Sequence, residues 1–499
     1  MASAALQHCM GLFFTLLYIL GAYLGPETIY GTLAGYHIQL VIAALALFFS
    51  FSSLQEISLT RMSQTYALIG MWVAVLMSFV FNGLTRFAPD ALFDFLPASF
   101  TFFFVLLNCK TKRHLQMIVF VLLAASLFTI YMGYSAILAG NLDSPYLVTA
   151  RDAAVPFSRL RGLGFINDPN DFSQLIASLI PCLFFFWAPK KFPQNFLFVL
   201  IPSGLLLFGM FLTHSRGGIV AFLAVVTIAA RRKIGTIPSV IIAGGLFAIT
   251  TVIGWSGGRE ISVESGVDRM EAWSTGLQLL KSHPIFGVGF QRFTEYYIIT
   301  AHNTVVVCAA ELGVFGLFFW VMFLIPTVRN AVVAGATVKS KEQLAQEEAE
   351  KTPFERALAA RAAENSLMQL KSTKPAEESA NAYPAGHAQP TLTAVANPYF
   401  MYEDVSNQLP EAEIRRLARL MMICLAGFLV AGWFLSRAYV MTLFIYGGMV
   451  QVVYRMALDQ GLVPESMKIP RVLRFSAIVV VGLITVVYIM LRLQNLIRH

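Results

Sequence analysis

Long apolar runs interrupted by short polar connections dominate this chain. Runs long enough to cross a hydrocarbon core of about 30 Å fall at 8–25, 36–52, 66–84, 92–108, 116–139, 171–188, 195–213, 217–231, 236–255, 303–327, 416–436, 438–457 and 475–494. Each predicts a membrane-spanning helix. The fold class that follows is all-α, a polytopic integral membrane protein with about 12–13 transmembrane helices.

The polar connections set an orientation, because Lys and Arg are retained in short cytoplasmic loops. Lys110, Lys112 and Arg113 mark one such loop, Lys190 and Lys191 the next, and Arg231, Arg232 and Lys233 a third. The connections between them, 140–170, 213–217 and 256–302, then face outward. Counting back places Arg61 inside, the uncharged 26–36 loop outside and the N-terminus in the cytoplasm. The first apolar run lacks a basic region ahead of it and is followed by GPETIYGT, so it is expected to be a retained span.

Composition agrees with this pattern. Of 499 residues, 57% are hydrophobic and 13% charged, with a mean hydropathy of +0.67, which excludes an ordinary soluble globular protein. The net charge of +8 is scattered over the inner loops, with no basic helix or basic patch interleaved with aromatics, so topology accounts for it and no nucleic acid is expected. The five cysteines lie in or at the ends of apolar runs without CxxC spacing and indicate neither a disulfide framework nor a zinc site.

Four regions follow: N-terminal helices over 1–139, a motif-bearing region over 140–330, a charged insertion over 331–415, and C-terminal helices over 416–499. Lys339 to Leu370 has helix-forming composition. Ser372 to Pro398 carries Pro375, Pro384, Pro390 and Pro398 and reads as a disordered linker. This insertion is either tolerated without a role or a docking segment for a cytoplasmic partner. The outer loop 256–302 is predicted to be structured: Ser265 and Asp268 fit a capping box, and Met270, Trp273, Leu277 and Leu280 recur at helical spacing. A short amphipathic helix lying at the membrane surface and ending at His283 and Pro284 is expected.

Candidate chemistry clusters on the outer side, where arginine is unexpected on orientation grounds. Arg161 lies in RGLGFINDPND, Arg216 in THSRGG, and Arg269 shortly before AHN at 301–303. Three runs begin directly after such motifs, near Asp171, Gly217 and Asn303. Helix starts carry unpaired N–H groups and a partial positive charge, which favour an anion. If the three starts converge they form a phosphate site, with charge-assisted bonds from Arg161 and Arg216 and close backbone approach at Gly162, Gly164, Gly217 and Gly218.

A helix start also disfavours a charged imidazole, which leaves His302 neutral and able to accept a proton from a hydroxyl. Asn303 either caps the helix or orients that ring. Each assignment has a plainer counterpart: His302 as an interfacial residue, Arg161 and Arg216 as headgroup-binding arginines, Arg269 on a solvated face beside Asp268 and Glu271, and Asn167, Asp168 and Asn170 as an Asx-rich turn. His214 has no obvious partner. Glu311 faces away from His302 on an ideal helix and is assigned to hydrogen-bonded packing beside Gly313 and Gly316 rather than to a proton relay.

The succession RGLGF-IN-DPND, THSRGG, DRMEAW with HPIFGVGFQRF, and AHNTVVVCAAELGVFG resembles the O-antigen ligase and polymerase superfamily of bacterial envelope glycosyltransferases over roughly 155–325. The resemblance implies a glycosyltransferase-C-like fold in the bacterial inner membrane, with the active site facing the periplasm. It implies a metal-independent, inverting transferase without a cofactor. Such an enzyme moves a glycan from an undecaprenyl-diphosphate donor to a hydroxyl on a glycan or lipid-linked acceptor, in lipopolysaccharide or exopolysaccharide assembly. By position, Arg161, Arg216 and Arg269 look like diphosphate-binding residues and His302 like the residue that activates the acceptor, supported by Asn303, Asn167, Asn170 and Gly217. The 331–415 insertion and the last run depart from the family's usual pattern. Ligase and polymerase are not separated by these residues.

A transporter or flippase of lipid-linked sugars is the alternative. It calls for ionisable groups near the midplane in related halves, whereas here they gather at one face. A scaffold acting through the insertion gives no reason for the outer motifs.

Overall fold

A computed structural model describes residues 2–55, 57–150, 157–252, 255, 263–336, 409–435 and 438–498. Residues 1–335 and 411–499 belong to one unit and 336–410 to a second. The expected helix and linker of the insertion therefore lie outside the described residues.

Every one of the thirteen apolar runs contains a helix. In chain order these are α1 (Ala2–Leu24), α2 (Ile38–Ser50), α3 (Ser63–Val80), α4 (Ala88–Asn108), α5 (Lys112–Leu138), α6 (Pro169–Leu183), α7 (Ile201–Thr213), α8 (Arg216–Ile234) and α9 (Thr236–Val252). After α10 (Val263–Ser282), in the 256–302 connection, come α11 (Thr304–Gly335), α12 (Glu411–Trp433), α13 (Met441–Asp459) and α14 (Ile469–Arg498). Among the described residues eight helices are long and apolar enough to cross a membrane. The count is lower than the number of apolar runs because α2, α6 and α9 are short, and α8 and α12 carry arginines at their ends.

The helices pack through small residues, as expected where lipid supplies no hydrophobic drive between them. A Cβ at Gly448 of α13 would lie 2.8 Å from Val105 Cβ of α4, and one at Gly70 of α3 would run into the Phe319 ring of α11. Phe102, Phe323 and Phe444 stack edge-on at the centre, with ring centroids 5.4 Å apart in the two successive pairs. Hydrogen bonds between helices pair polar groups in this interior, where water is scarce: Asn108 Nδ2 donates to Thr15 Oγ1 at 3.0 Å and to Ser50 Oγ at 2.7 Å.

One end of the bundle is knit by charge. Glu413, in the first turn of α12, pairs with Lys112 of α5 at 2.8 Å and with Arg416 at 2.5 Å, while Arg416 Nη1 donates to Phe184 O beyond α6 at 2.6 Å. Burial works against ionising Glu413, but the hydrogen bonds from Arg416 and Lys112 outweigh it and hold the carboxyl at about 2.

Two features depart from straight helices. A two-stranded antiparallel ribbon, β1 (Leu147–Ala150) and β2 (Phe157–Leu160), stands in the connection between α5 and α6 with Leu147 opposite Leu160. In addition, α11 is broken at Gly313, whose φ of 66° and ψ of −168° are non-helical. The 284–289 segment supplies the partners that the break removes: Val288 N–H and Gly289 N–H donate to Ala310 O and Glu311 O, and Val314 N–H and Phe315 N–H donate to Pro284 O and Ile285 O. Both strand-like approaches need glycine. A Cβ at Gly313 would lie 2.2 Å from Ile285 O, and one at Gly287 (φ +67°) would lie 2.3 Å from Glu311 C. Glu311, two residues before the break, is buried and accepts the Phe293 N–H through Oε1 at 3.3 Å, in line with the hydrogen-bonded packing expected of it.

Helix α10 spans the expected residues, starting two before Ser265 and ending just ahead of His283; the side chains of 263–268 lie outside the description. It does not lie free at a membrane surface. Ala272, Trp273 and Leu279 pack into one buried cluster with Val306, Val307 and Ala310 of α11 and Val487 of α14, so protein covers the apolar face. The same contact places the C-terminal half of α14 at the end of the bundle where α11 begins.

Candidate functional site

The local chemistry that starts α6, α8 and α11 is legible residue by residue. Asp168 caps α6 by accepting Asn170 N–H at 2.7 Å. Ser215 caps α8 by accepting Gly218 N–H at 3.2 Å. Asn303, fully buried, caps α11 by accepting Val305 N–H at 2.9 Å and Val306 N–H at 3.1 Å. Each cap satisfies part of a helix's first turn, a contribution of about 1 kcal/mol, and the remaining N–H groups of those turns give each start its positive character.

The starts of α6 and α8 touch directly. Ser215 Oγ donates to Asn170 Oδ1 at 2.8 Å, and a Cβ at Gly218 would lie 1.6 Å from Ser173 Oγ. Ser173 is fully buried, and its hydroxyl has no hydrogen-bond partner among the described residues. The ribbon reaches the same place: on β2, Arg159 Nε donates to Thr213 O at 2.9 Å and Nη2 to Asn170 Oδ1 at 3.2 Å.

The start of α11 joins through the end of α12. Asn303 Nδ2 donates to Trp433 O at 3.2 Å and Thr304 Oγ1 to Leu435 O at 2.8 Å. Gly217 faces the same segment, since a Cβ there would lie 3.5 Å from Leu435 Cδ2 and 3.6 Å from Phe434 Cβ. The Trp273 ring of α10 meets Trp433 edge-on at 6.1 Å, and its Nε1 donates to Ala301 O at 2.7 Å, beside His302. Residues 432–435 are therefore the common neighbour of the AHN, THSRGG and α10 segments. Gly432 faces Thr304 on one side and Gln174 of α6 on the other.

The individual candidates stand as follows. His302 is half-buried with a left-handed backbone, φ +47°, and Asn303 serves as the cap. Arg161 is half-buried; its N–H donates to Tyr146 O and its Nε to Pro145 O at 2.8 Å, and its terminal nitrogens have no partner among the described residues. Arg216 opens α8, half-buried. Arg269 is exposed, one helical turn before Trp273 and on the same face of α10. Asn167 is exposed at the end of a short turn, Gly164–Ile166. His214 is taken up by structure: left-handed at the end of α7, it meets Trp255 O through Nδ1 at 2.8 Å and Phe157 edge-on at 4.8 Å.

The glycine expectation needs correction. A Cβ at Gly164 (φ +57°) would lie 2.2 Å from Ala22 O of α1, at Gly162 it would lie 2.5 Å from Ile166 Cδ1, and Gly218 presses on Ser173. These glycines admit neighbouring protein, helix against loop and helix against helix, rather than a phosphate.

Arg159, Ser215, Ser173 and the 432–435 segment were missed from sequence. Arg159 carried one available signal: it lies two residues before Arg161, the spacing that puts two side chains on one face of a strand. No comparable signal exists for 432–435, which arrives from a distant part of the chain.

This fold and site define a multi-pass, all-helical membrane protein with arginine-rich loops and three capped helix starts gathered at one end. A family model described as O-Antigen ligase matches residues 201–321, which contain Arg216, α10, His302 and the broken part of α11, so this segment of the chain is similar to the O-antigen ligases. No curated protein and no solved structure matches the chain.

Proposed function

We propose that this protein is a membrane glycosyltransferase that takes a glycan from an undecaprenyl-diphosphate donor and joins it to an acceptor hydroxyl at the periplasmic face. The observation that carries the reading is that the α6 and α8 starts join each other and Arg159 at Asn170, while the α8 and α11 starts meet through residues 432–435. The basic loops at 110–113, 190–191 and 231–233 orient the opposite end toward the cytoplasm.

In this reading the diphosphate rests against the open N–H groups of the helix starts, with Arg161 and Arg216 on its oxygens and Arg269 at the rim. As the glycosidic bond breaks, negative charge grows on the leaving diphosphate, so fixed positive ends stabilise the transition state more than the ground state. His302, neutral at the start of α11, takes the proton from the acceptor hydroxyl as that oxygen attacks the anomeric carbon from the face opposite the leaving group. Inversion follows from this single displacement, and no metal is required where the helix starts and arginines carry the charge of the leaving diphosphate.

The test is purified protein in nanodiscs with a defined undecaprenyl-diphosphate oligosaccharide and candidate acceptors. Wild type forms a glycosidic product of inverted anomeric configuration, at a rate unchanged by a chelator. His302→Ala and Arg216→Ala insert normally and form none. Movement of the donor across the bilayer without bond formation by wild type overturns the proposal in favour of a flippase.

A further inference from the structure

The amide of Asn170 has two nearly isosteric orientations, and its surroundings select one. Its Oδ1 accepts from Ser215 Oγ at 2.8 Å and from Arg159 Nη2 at 3.2 Å. Two donors fill both lone pairs of that oxygen, so Nδ2 points the other way, and it has no partner among the described residues. The donors are fixed in turn. Ser215 Oγ accepts Gly218 N–H through a lone pair and gives its single proton to the Asn170 oxygen, which can only accept, and Arg159 Nε is anchored on Thr213 O at 2.9 Å. Asn170 sits in the first turn of α6, where the backbone N–H groups also point out of the helix end.

We propose that Arg159 is a positioning residue which, together with Ser215, fixes the Asn170 amide so that its Nδ2 donates to the diphosphate. The inference rests on the function proposed above and adds to it a donor and the residue that aims it. One further feature fits an anion at this point: Arg161, two residues from Arg159, has terminal nitrogens without a partner among the described residues.

A guanidinium is required because one rigid fork reaches two acceptors, Thr213 O and Asn170 Oδ1; a lysine amine reaches one or the other. Asn170 is needed for a different reason. Aspartate at 170 keeps an oxygen for Arg159 and Ser215, and the charge strengthens the Arg159 contact, but it turns a second oxygen toward the anion in place of Nδ2.

That difference makes the test specific. Full-length wild type, Asn170→Asp and Arg159→Lys are compared in nanodiscs by thermal unfolding, by binding of inorganic pyrophosphate and by initial transfer rate. The expected result is Asn170→Asp with an unfolding midpoint at or above wild type, pyrophosphate affinity at least tenfold weaker and turnover at least a hundredfold lower. Arg159→Lys loses turnover about tenfold with little change in donor KM, since the amide is misaimed rather than removed. Asn170→Asp with wild-type pyrophosphate affinity and turnover overturns the proposal, because a purely structural acceptor tolerates the carboxylate. If Asn170→Asp does not fold, Arg159→Lys decides, and wild-type turnover in it overturns the proposal. Wild type that binds pyrophosphate but makes no glycosidic product separates the outcomes: the transferase reading falls, and the aimed donor stands or falls on the Asn170→Asp affinity.

Discussion

Gly218→Ala probes the junction of α6 and α8 with one carbon atom. In an isolated helix the change is favourable by up to about 1 kcal/mol. Here the new Cβ would lie 1.6 Å from Ser173 Oγ and 2.6 Å from Ser173 Cβ. Rotating the hydroxyl removes the first clash but not the second, and an ordinary carbon contact needs about 3.5–4 Å. The two helix starts must therefore separate by about 1 Å, which costs about 1–3 kcal/mol as overpacking and stretches the Ser215 to Asn170 bond. A displacement of about 1 Å in positioned groups lowers a rate on the order of a hundredfold. The assay is initial transfer rate in nanodiscs, normalised to folded protein. Gly218→Ala is expected to insert and to lose rate by about tenfold to a hundredfold. Adding Ser173→Gly restores most of the rate because it removes the offending Cβ, whereas Ser173→Ala does not, because that carbon stays. A wild-type rate for Gly218→Ala, or equal rescue by Ser173→Gly and Ser173→Ala, refutes the reasoning.

Further predictions concern the scaffold. Gly313→Ala forces a Cβ to 2.2 Å from Ile285 O at φ +66° and is expected to cost about 3 kcal/mol or more, read as loss of monodisperse protein on extraction. Glu413→Gln removes the pairs with Lys112 and Arg416 at the basic end; after allowance for its 21% exposure the cost at neutral pH is about 1–2 kcal/mol, measured as a lower unfolding midpoint. Because folding lowers that carboxyl from 4.5 to about 2, the difference between wild type and variant is fully present above pH 4.5 and disappears as pH falls through about 2. Trp273→Phe keeps the ring against Trp433 but leaves Ala301 O without its donor, a local cost of about 1–3 kcal/mol, checked as faster amide exchange around 301–304.

What could be read in advance was local. Apolar runs became helices because burial in lipid depends on the run itself, and the Asx turn at Asp168 and the cap at Asn303 formed because cap chemistry involves residues two or three apart. The His283–Pro284 stop of α10 was legible for the same reason. The break at Gly313 was not, since a glycine inside an apolar run reads as helix packing until a second segment is known to insert beside it. Gly164 and Gly218 were assigned to a ligand because sequence indicates that something must come close, but not what. Arg159 was passed over because its partners, Thr213 and Asn170, lie 54 and 11 residues away.

The seat of residues 432–435 also fixes when the protein can become competent. Thr304 finds its acceptor in Leu435, 131 residues later in the chain. At a synthesis rate of about 5–20 residues per second, a ribosome spends roughly 7–26 seconds between the two. During that interval the earlier helices have already been handed to the bilayer without the piece that closes their polar end. A nascent chain halted before that point is inserted but unfinished, so competence belongs only to molecules whose translation has passed residue 435.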